Sequence, residues 1–303
     1  MKRDLLTILD LSRDEIYRLL NLAKELKNRW KAGEKLPDCS RKTLGLLFEK
    51  PSTRTRISFQ VAIYRLGGQA IYMTPQDTQL SRDETLADTA RVLSRYLDAL
   101  VVRTFGQNVV EELAKHSTIP VINGLTDSYH PCQVLSDLFT LAEKRGNLDD
   151  LKVAWVGDGN NVAHSWINAA ARLGFKLWIS CPEGYWPREE IIENARNLEG
   201  KNIFLVPDPR EAVSQAEVIN TDVWASMGQE AEAKKRREVF RPFQVNQELL
   251  KFAPENVYVM HCLPAHRGEE ITDEVMDGPN SIVFDQAENR MHFQIALLAW
   301  LLG

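Results

Sequence analysis

Apolar side chains recur at helical intervals from the start of the chain. After Ser12 and Glu15, spaced as a capping box, Ile16, Leu19, Leu20, Ala23 and Leu26 form one stripe. The period then changes. Thr43 to Phe48 reads as a buried strand, the polar run Glu49 to Thr55 follows it, and Ile57, Val61, Tyr64 and Leu66 return to helical spacing before Gly67-Gly68. The alternation continues with a strand over Gln69 to Met73, a helix over Asp83 to Leu97, a strand over Ala99 to Val102, a helix over Val109 to Lys115 and a strand over Ile119 to Ile122. Val134 to Lys144 is helical and ends at Arg145-Gly146-Asn147, which puts a domain boundary near residue 147. Beyond it Val153 to Val156, Lys176 to Ser180, Ile203 to Leu205, Val218 to Asn220 and Val257 to Met260 are short strands separated by helical segments. The final helix, Glu288 to Leu302, is apolar enough to require docking on something larger. The expected fold class is α/β, with two doubly wound parallel-sheet domains and an interdomain cleft fed by the loops at the carboxyl ends of the strands.

Composition narrows the function classes. The chain has 303 residues, a length that suits about two domains, and 44% of it is hydrophobic. Lysine and arginine total 37 against 42 aspartate and glutamate, a net charge of −5 that disfavours nucleic acid and anionic membranes as partners. No apolar run reaches the roughly 18 residues of a membrane span, and Met1-Lys2-Arg3-Asp4 leads into an amphipathic helix, so a cytoplasmic location is expected. Cys39, Cys132, Cys181 and Cys262 lie far apart without a C-x-x-C pair, which argues against a disulfide framework or zinc ribbon.

The loops after the strands carry the chemistry. Ser52-Thr53-Arg54-Thr55-Arg56 stands between a strand and a helix, where unpaired helical N–H groups, hydroxyls and guanidinium groups form an anion socket suited to phosphate. A simple helix cap is the plainer alternative, and a Walker loop is excluded by the missing G-x-x-x-x-G-K pattern. Arg103 follows one strand, and His130-Pro131-Cys132-Gln133 follows another after an intervening loop. A cation, an imidazole and an amide so placed can surround a carbonyl oxygen that gains charge in acyl transfer, although each residue alone is more often structural. Gly157-Asp158-Gly159-Asn160-Asn161-Val162 invites a dinucleotide reading, weakened by Val162 in place of the third glycine and by Ser180-Cys181-Pro182-Glu183 after the next strand, which offers no acidic residue at the usual strand-end position. Asp222 can pair with an ammonium, with Ser226 and Gly228 turning about a zwitterion, and Cys262 places a thiol at a strand end. His130, Cys132, His261, Cys262 and His266 fit no metal-ligand spacing, so no metal is expected.

Taken in order, these loops resemble the aspartate/ornithine carbamoyltransferase family. The matching strings are Phe48-Glu49-Lys50-Pro51-Ser52-Thr53-Arg54-Thr55-Arg56, Asp88-Thr89-Ala90-Arg91-Val92-Leu93, His130-Pro131-Cys132-Gln133, Gly157-Asp158-Gly159-Asn160-Asn161, Asp222 with Ser226-Met227-Gly228, His261-Cys262-Leu263-Pro264 and Ala287-Glu288-Asn289-Arg290. The S-T-R-T and H-P-x-Q strings look like the carbamoyl phosphate half, and S-M-G with H-C-L-P looks like the ornithine-specific half. The resemblance implies transfer of a carbamoyl group from carbamoyl phosphate to the δ-amine of L-ornithine, giving citrulline and phosphate in arginine metabolism. It implies a carbamoyl phosphate domain over 1–133 joined by the terminal helix 288–303, a connecting helix over 134–146, and an ornithine domain over 147–287. Arg103, His130 and Cys262 would be catalytic. Ser52, Thr53, Arg54, Thr55, Gln79, Arg103, His130, Gln133, Cys262, Leu263 and Arg290 would surround carbamoyl phosphate, with Gln79 reaching a neighbouring subunit's site. Asn161, Asp222, Ser226 and Met227 would hold ornithine. The resemblance further implies a homotrimer or a multiple of trimers, and no cofactor. Ala265-His266-Arg267 departs from the many relatives that have arginine directly after the proline of H-C-L-P.

Overall fold

A computed structural model describes residues 2–78, 84–198, 202–225 and 232–303, which divide into two units, Met1–Lys144 with Asn289–Gly303 and Arg145–Glu288. In the first unit, α1 (Arg13–Lys31) opens with the expected capping box. Ser12 Oγ accepts from the Glu15 N–H at 3.2 Å and a Glu15 carboxylate oxygen accepts from the Ser12 N–H at 2.9 Å. The strands are β1 (Thr43–Phe48), β2 (Gln69–Met73), β3 (Ala99–Arg103) and β4 (Val121–Leu125), all parallel in the order β2-β1-β3-β4. They alternate with α2 (Thr53–Arg65), α3 (Leu86–Leu93), α4 (Gln107–His116) and α5 (Pro131–Arg145). β1 and β3 are buried along nearly their whole length, which is why they read as continuous apolar runs. Their neighbours run in opposite directions of chain order, so the switch point of this sheet lies between the carboxyl ends of β1 and β3.

Lys27 of α1, although buried, donates to Glu143 Oε2 and to Asn289 Oδ1, both at 2.7 Å, and Asn289 Nδ2 donates to Thr140 Oγ1 at 3.1 Å. This polar knot holds α1, α5 and α12 (Val283–Leu302) together in the first unit.

In the second unit the strands are β5 (Lys152–Val156), β6 (Lys176–Ser180), β7 (Ile203–Leu205), β8 (Val218–Thr221) and β9 (Tyr258–His261). All are parallel, in the order β7-β6-β5-β8-β9. The helices are α6 (Asn161–Leu173), α7 (Glu189–Leu198), α8 (Pro209–Val213), α9 (Ala233–Phe240), α10 (Gln247–Leu250) and α11 (Asp273–Met276). Here the switch point falls between β5 and β8. The two expected doubly wound parallel sheets are therefore present.

Several boundaries differ from the sequence pattern for local reasons. β4 begins at Val121 because Pro120 has no N–H to give, although its carbonyl still accepts from Leu100. α3 stops at Leu93, where Ser94 Oγ donates to the Ala90 carbonyl at 2.7 Å, and Leu97 joins the core beyond the helix. α5 starts at Pro131, since a proline is suited to the first helical turn. α2 turns another face inward: Phe59, Ala62, Ile63 and Leu66 are buried, whereas Ile57 is 52% and Tyr64 77% exposed. With apolar residues on both faces, periodicity alone does not give the phase.

Candidate active site

At the switch point of the first sheet, β1 leads through Pro51 into α2. Ser52 is the N-cap, and its Oγ accepts from the Thr55 N–H at 3.2 Å. Thr53, Arg54 and Thr55 form the first turn, where the helix dipole favours negative charge. Thr55 is fully buried, and its Oγ1 meets the Arg290 Nη2 of α12 at 2.8 Å. Arg103 is the last residue of β3, also buried, with its carbonyl accepting from the Glu49 N–H at 2.8 Å. Neighbouring Lys50 pairs with Asp127 and lies 4.1 Å from the centre of the Phe105 ring.

His130 precedes α5 and lies within the field of three guanidinium groups. Burial holds its pKa well below the ordinary 6.5, and the charges of Arg290, Arg103 and Arg54 push it the same way. The imidazole is neutral at physiological pH and so retains one N–H to donate. Gln133, in the first turn of α5, bonds through its own N–H to the His130 carbonyl at 3.1 Å. Its side-chain Oε1 and the Arg54 Nε are buried without a hydrogen-bond partner among the described residues. Three cations, an unanswered donor and an unanswered acceptor in one neighbourhood are complementary to an anion that also carries a donor. Adjacent Cys132 is pushed up to about 12 by burial, so it is an inert thiol.

The second sheet carries a different set at its switch point. Asn160 caps α6, its Oδ1 accepting from the Val162 and Ala163 N–H groups at 2.9 and 3.2 Å, while its Nδ2 donates to Asp222 Oδ2 at 2.8 Å. Asn161 is the first residue of α6. Asp222, just after β8, also accepts from its neighbour Val223 N–H and from Cys262 Sγ, each at 2.8 Å. Asp158 is buried beside Arg236 at 3.2 Å, and burial raises its pKa to about 6 against the opposing Arg236 charge. Arg236 also donates to the Trp224 carbonyl at 2.8 Å.

At the end of β9, His261 Nδ1 accepts from the Leu263 N–H at 2.9 Å while Nε2 faces Glu270 Oε1 at 3.0 Å. This fixes the loop, in which Leu263 has a φ of +59° and the Leu263-Pro264 bond is cis. Ligand atoms of Asp222, His261 and Cys262 lie within 4.8 Å of one another. Both imidazole nitrogens are nevertheless engaged within the protein, which leaves the trio hydrogen-bonded instead of open to a metal.

The glycines after β5 have a steric cause inside the fold. A Cβ on Gly159 would lie 2.2 Å from the Pro187 nitrogen and 2.4 Å from the Trp186 carbonyl carbon. Backbone from the loop after β6 occupies the space beside this turn, so the paired glycines do not indicate a dinucleotide.

A family description for the carbamoyl-P binding domain of aspartate/ornithine carbamoyltransferase matches residues 3–143, and one for the Asp/Orn binding domain matches 149–301. The chain belongs to the aspartate/ornithine carbamoyltransferase family. An ornithine carbamoyltransferase from Syntrophus aciditrophicus is 55% identical over 302 residues, covering 100% of both chains. A relative from Pyrococcus furiosus, named as an anabolic ornithine carbamoyltransferase, is 54% identical over 99% of this chain and 96% of its own. The solved ornithine carbamoyltransferase structure from Pyrococcus furiosus superposes with a TM-score of 0.93 at 54% identity, covering 99% of this chain and 97% of that one.

Within this carbamoyltransferase the first unit brings together Ser52, Thr53, Arg54, Thr55, Arg103, His130, Gln133 and Arg290, and the second brings Asn161, Asp222, Cys262 and Leu263 to the ends of neighbouring strands. Gln79, Ser226 and Met227 lie outside the described residues. Asn160 was assigned no role by the family strings, yet it is the residue bonded to Asp222, and Glu270 was missed as the partner of His261. The Asx-type capping position before α6 was a usable signal for Asn160, whereas nothing in spacing alone joins residues 261 and 270.

Proposed function

We propose that the chain is an ornithine carbamoyltransferase that moves the carbamoyl group of carbamoyl phosphate to the δ-amine of L-ornithine, giving L-citrulline and phosphate. The observation that carries this reading is the gathering of Arg54, Arg103 and Arg290 around a neutral His130 at the N-terminus of α2. In this reading the first unit is the carbamoyl phosphate domain. Arg54, Ser52, Thr53 and the first turn of α2 hold the phosphate, while Thr55 and Arg290 complete the socket. Arg103, His130 and Thr55 stabilise the carbonyl oxygen as the amine attacks, and Gln133 accepts from the carbamoyl NH2. The second unit holds ornithine through Asn161, Asp222, Ser226 and Met227, with Cys262 and Leu263 beside the reacting groups. The C–N bond forms, the C–O bond to phosphate breaks, and the departing phosphate takes the amine proton. These residues suffice for the reaction, and no metal or organic cofactor enters any step.

The anabolic name of the Pyrococcus furiosus relative supports a role in arginine biosynthesis. No helix among the described residues is long and apolar enough to cross a membrane. Four free cysteines fit a reducing compartment, and we place the enzyme in the cytoplasm. We assign a homotrimer, with Gln79 serving a neighbouring site. The exposed Ile57, Tyr64 and Ile71 on α2 and β2 are suited to such a contact, and sedimentation of the purified protein tests it.

The test of function is to incubate the protein with carbamoyl phosphate and a panel of ornithine, putrescine and aspartate, following carbamoylated product. Ornithine is the preferred acceptor, and Arg54→Ala abolishes turnover without unfolding the chain. Preference for aspartate, or an unchanged KM for carbamoyl phosphate in Arg54→Ala, overturns the assignment.

A further inference from the structure

Gln133 and Asp137 stand one turn apart on α5 and are 1% and 0% exposed. Gln133 Nε2 donates to Asp137 Oδ1 at 2.8 Å. A carboxylate only accepts, and a side-chain amide donates only through nitrogen, so this bond decides which way round the Gln133 amide stands. Its Oε1 is left buried and without a hydrogen-bond partner among the described residues. An acceptor kept dry in this way is costly unless a ligand supplies a donor.

The neighbouring site groups are themselves donors. Arg54, Arg103, Arg290 and the neutral His130 suit the oxygens of an acyl phosphate, and none of them distinguishes what else the acyl carbon carries. A carbamoyl group has an NH2 there and an acetyl group has a methyl of similar size. Only the first can satisfy Gln133 Oε1.

We propose that Asp137 is a positioning residue for substrate choice: by holding the Gln133 amide nitrogen it reserves Oε1 for the NH2 of carbamoyl phosphate and sets the preference over acetyl phosphate. This rests on the reading of Gln133 as the carbamoyl contact. Removing the carboxylate frees the amide to turn its own NH2 toward the acyl group, where it repels a carbamoyl NH2 and tolerates a methyl.

The test measures the KM for carbamoyl phosphate and the competitive Ki of acetyl phosphate in the intact enzyme, and takes their ratio. In Asp137→Asn the side chain keeps its shape but can both donate and accept, and selectivity falls by about tenfold. Asp137→Ser offers a hydroxyl with the same ambiguity and gives the same fall, so either variant decides the matter if the other fails to accumulate. Gln133→Met loses at least as much selectivity, and adding Asp137→Asn to it causes no further loss. General damage to α5 weakens both acyl phosphates together and leaves the ratio alone. If Gln133→Met loses selectivity while both Asp137 variants keep it within about twofold, the role of Asp137 is overturned and the reading of Gln133 stands. If Gln133→Met keeps it, the reading of Gln133 fails and takes the inference with it.

Discussion

A neutral His130 and a reluctant Asp158 carry opposite pH signatures. The folded pKa of His130 is depressed below 6.5, so below that pH the unfolded chain takes up a proton that the native state refuses, and stability falls as pH drops. Asp158 is raised from 3.8 to about 6, so between those values the native state binds the proton first and stability from this group rises as pH drops. Urea unfolding at pH 7 and about pH 5 separates the two: His130→Gln flattens the acid loss, and Asp158→Asn steepens it. An identical pH response in all three proteins refutes both assignments. Arg290 makes a different demand, since its Nη2 reaches Thr55 Oγ1 from a separate helix. Lysine cannot reproduce that fork, so Arg290→Lys is expected to raise the carbamoyl phosphate KM by about tenfold with the fold intact, read by initial rates and circular dichroism.

At the scale of elements, the turn between β5 and α6 is the most tightly constrained. Gly159→Ala drives a methyl group into the backbone of residues 186 and 187, and a loss of about 2 kcal/mol or more is expected in chemical denaturation. A loss below about 0.5 kcal/mol would show that the two loops separate freely. Most strands were legible in the sequence because buried parallel strands are nearly continuous apolar runs, as β1 and β3 are. The phase of α2 was not, because Ile57 and Tyr64 put apolar surface on its outer face. The Ser52–Thr55 cap and first turn of α2 were legible because these residues adjoin one strand-to-helix turn. The link from Lys27 through Asn289 to the neighbourhood of Arg290 spans most of the chain, and no local pattern encodes it. Glu270 escaped notice for a related reason: its partner His261 lies in the preceding strand, across a loop whose course depends on that very bond.

For the molecule as a whole, both sheets place their candidate residues at a topological switch point, and that follows from strand order more than from any one side chain. The chain carries a net charge of −5, yet the first unit gathers guanidinium groups where its sheet order reverses, so attraction of an anionic substrate is a local property. The four thiols are distributed just as unevenly. Cys39, Cys132 and Cys181 are buried, and Cys262, beside Asp222, is partly open to solvent. An alkylating electrophile therefore meets a single target in the native protein. Digestion and mass spectrometry after brief iodoacetamide treatment should find Cys262 carbamidomethylated first, with ornithine slowing the reaction; the residue offers a built-in chemical footprint of occupancy, readable without any engineered label.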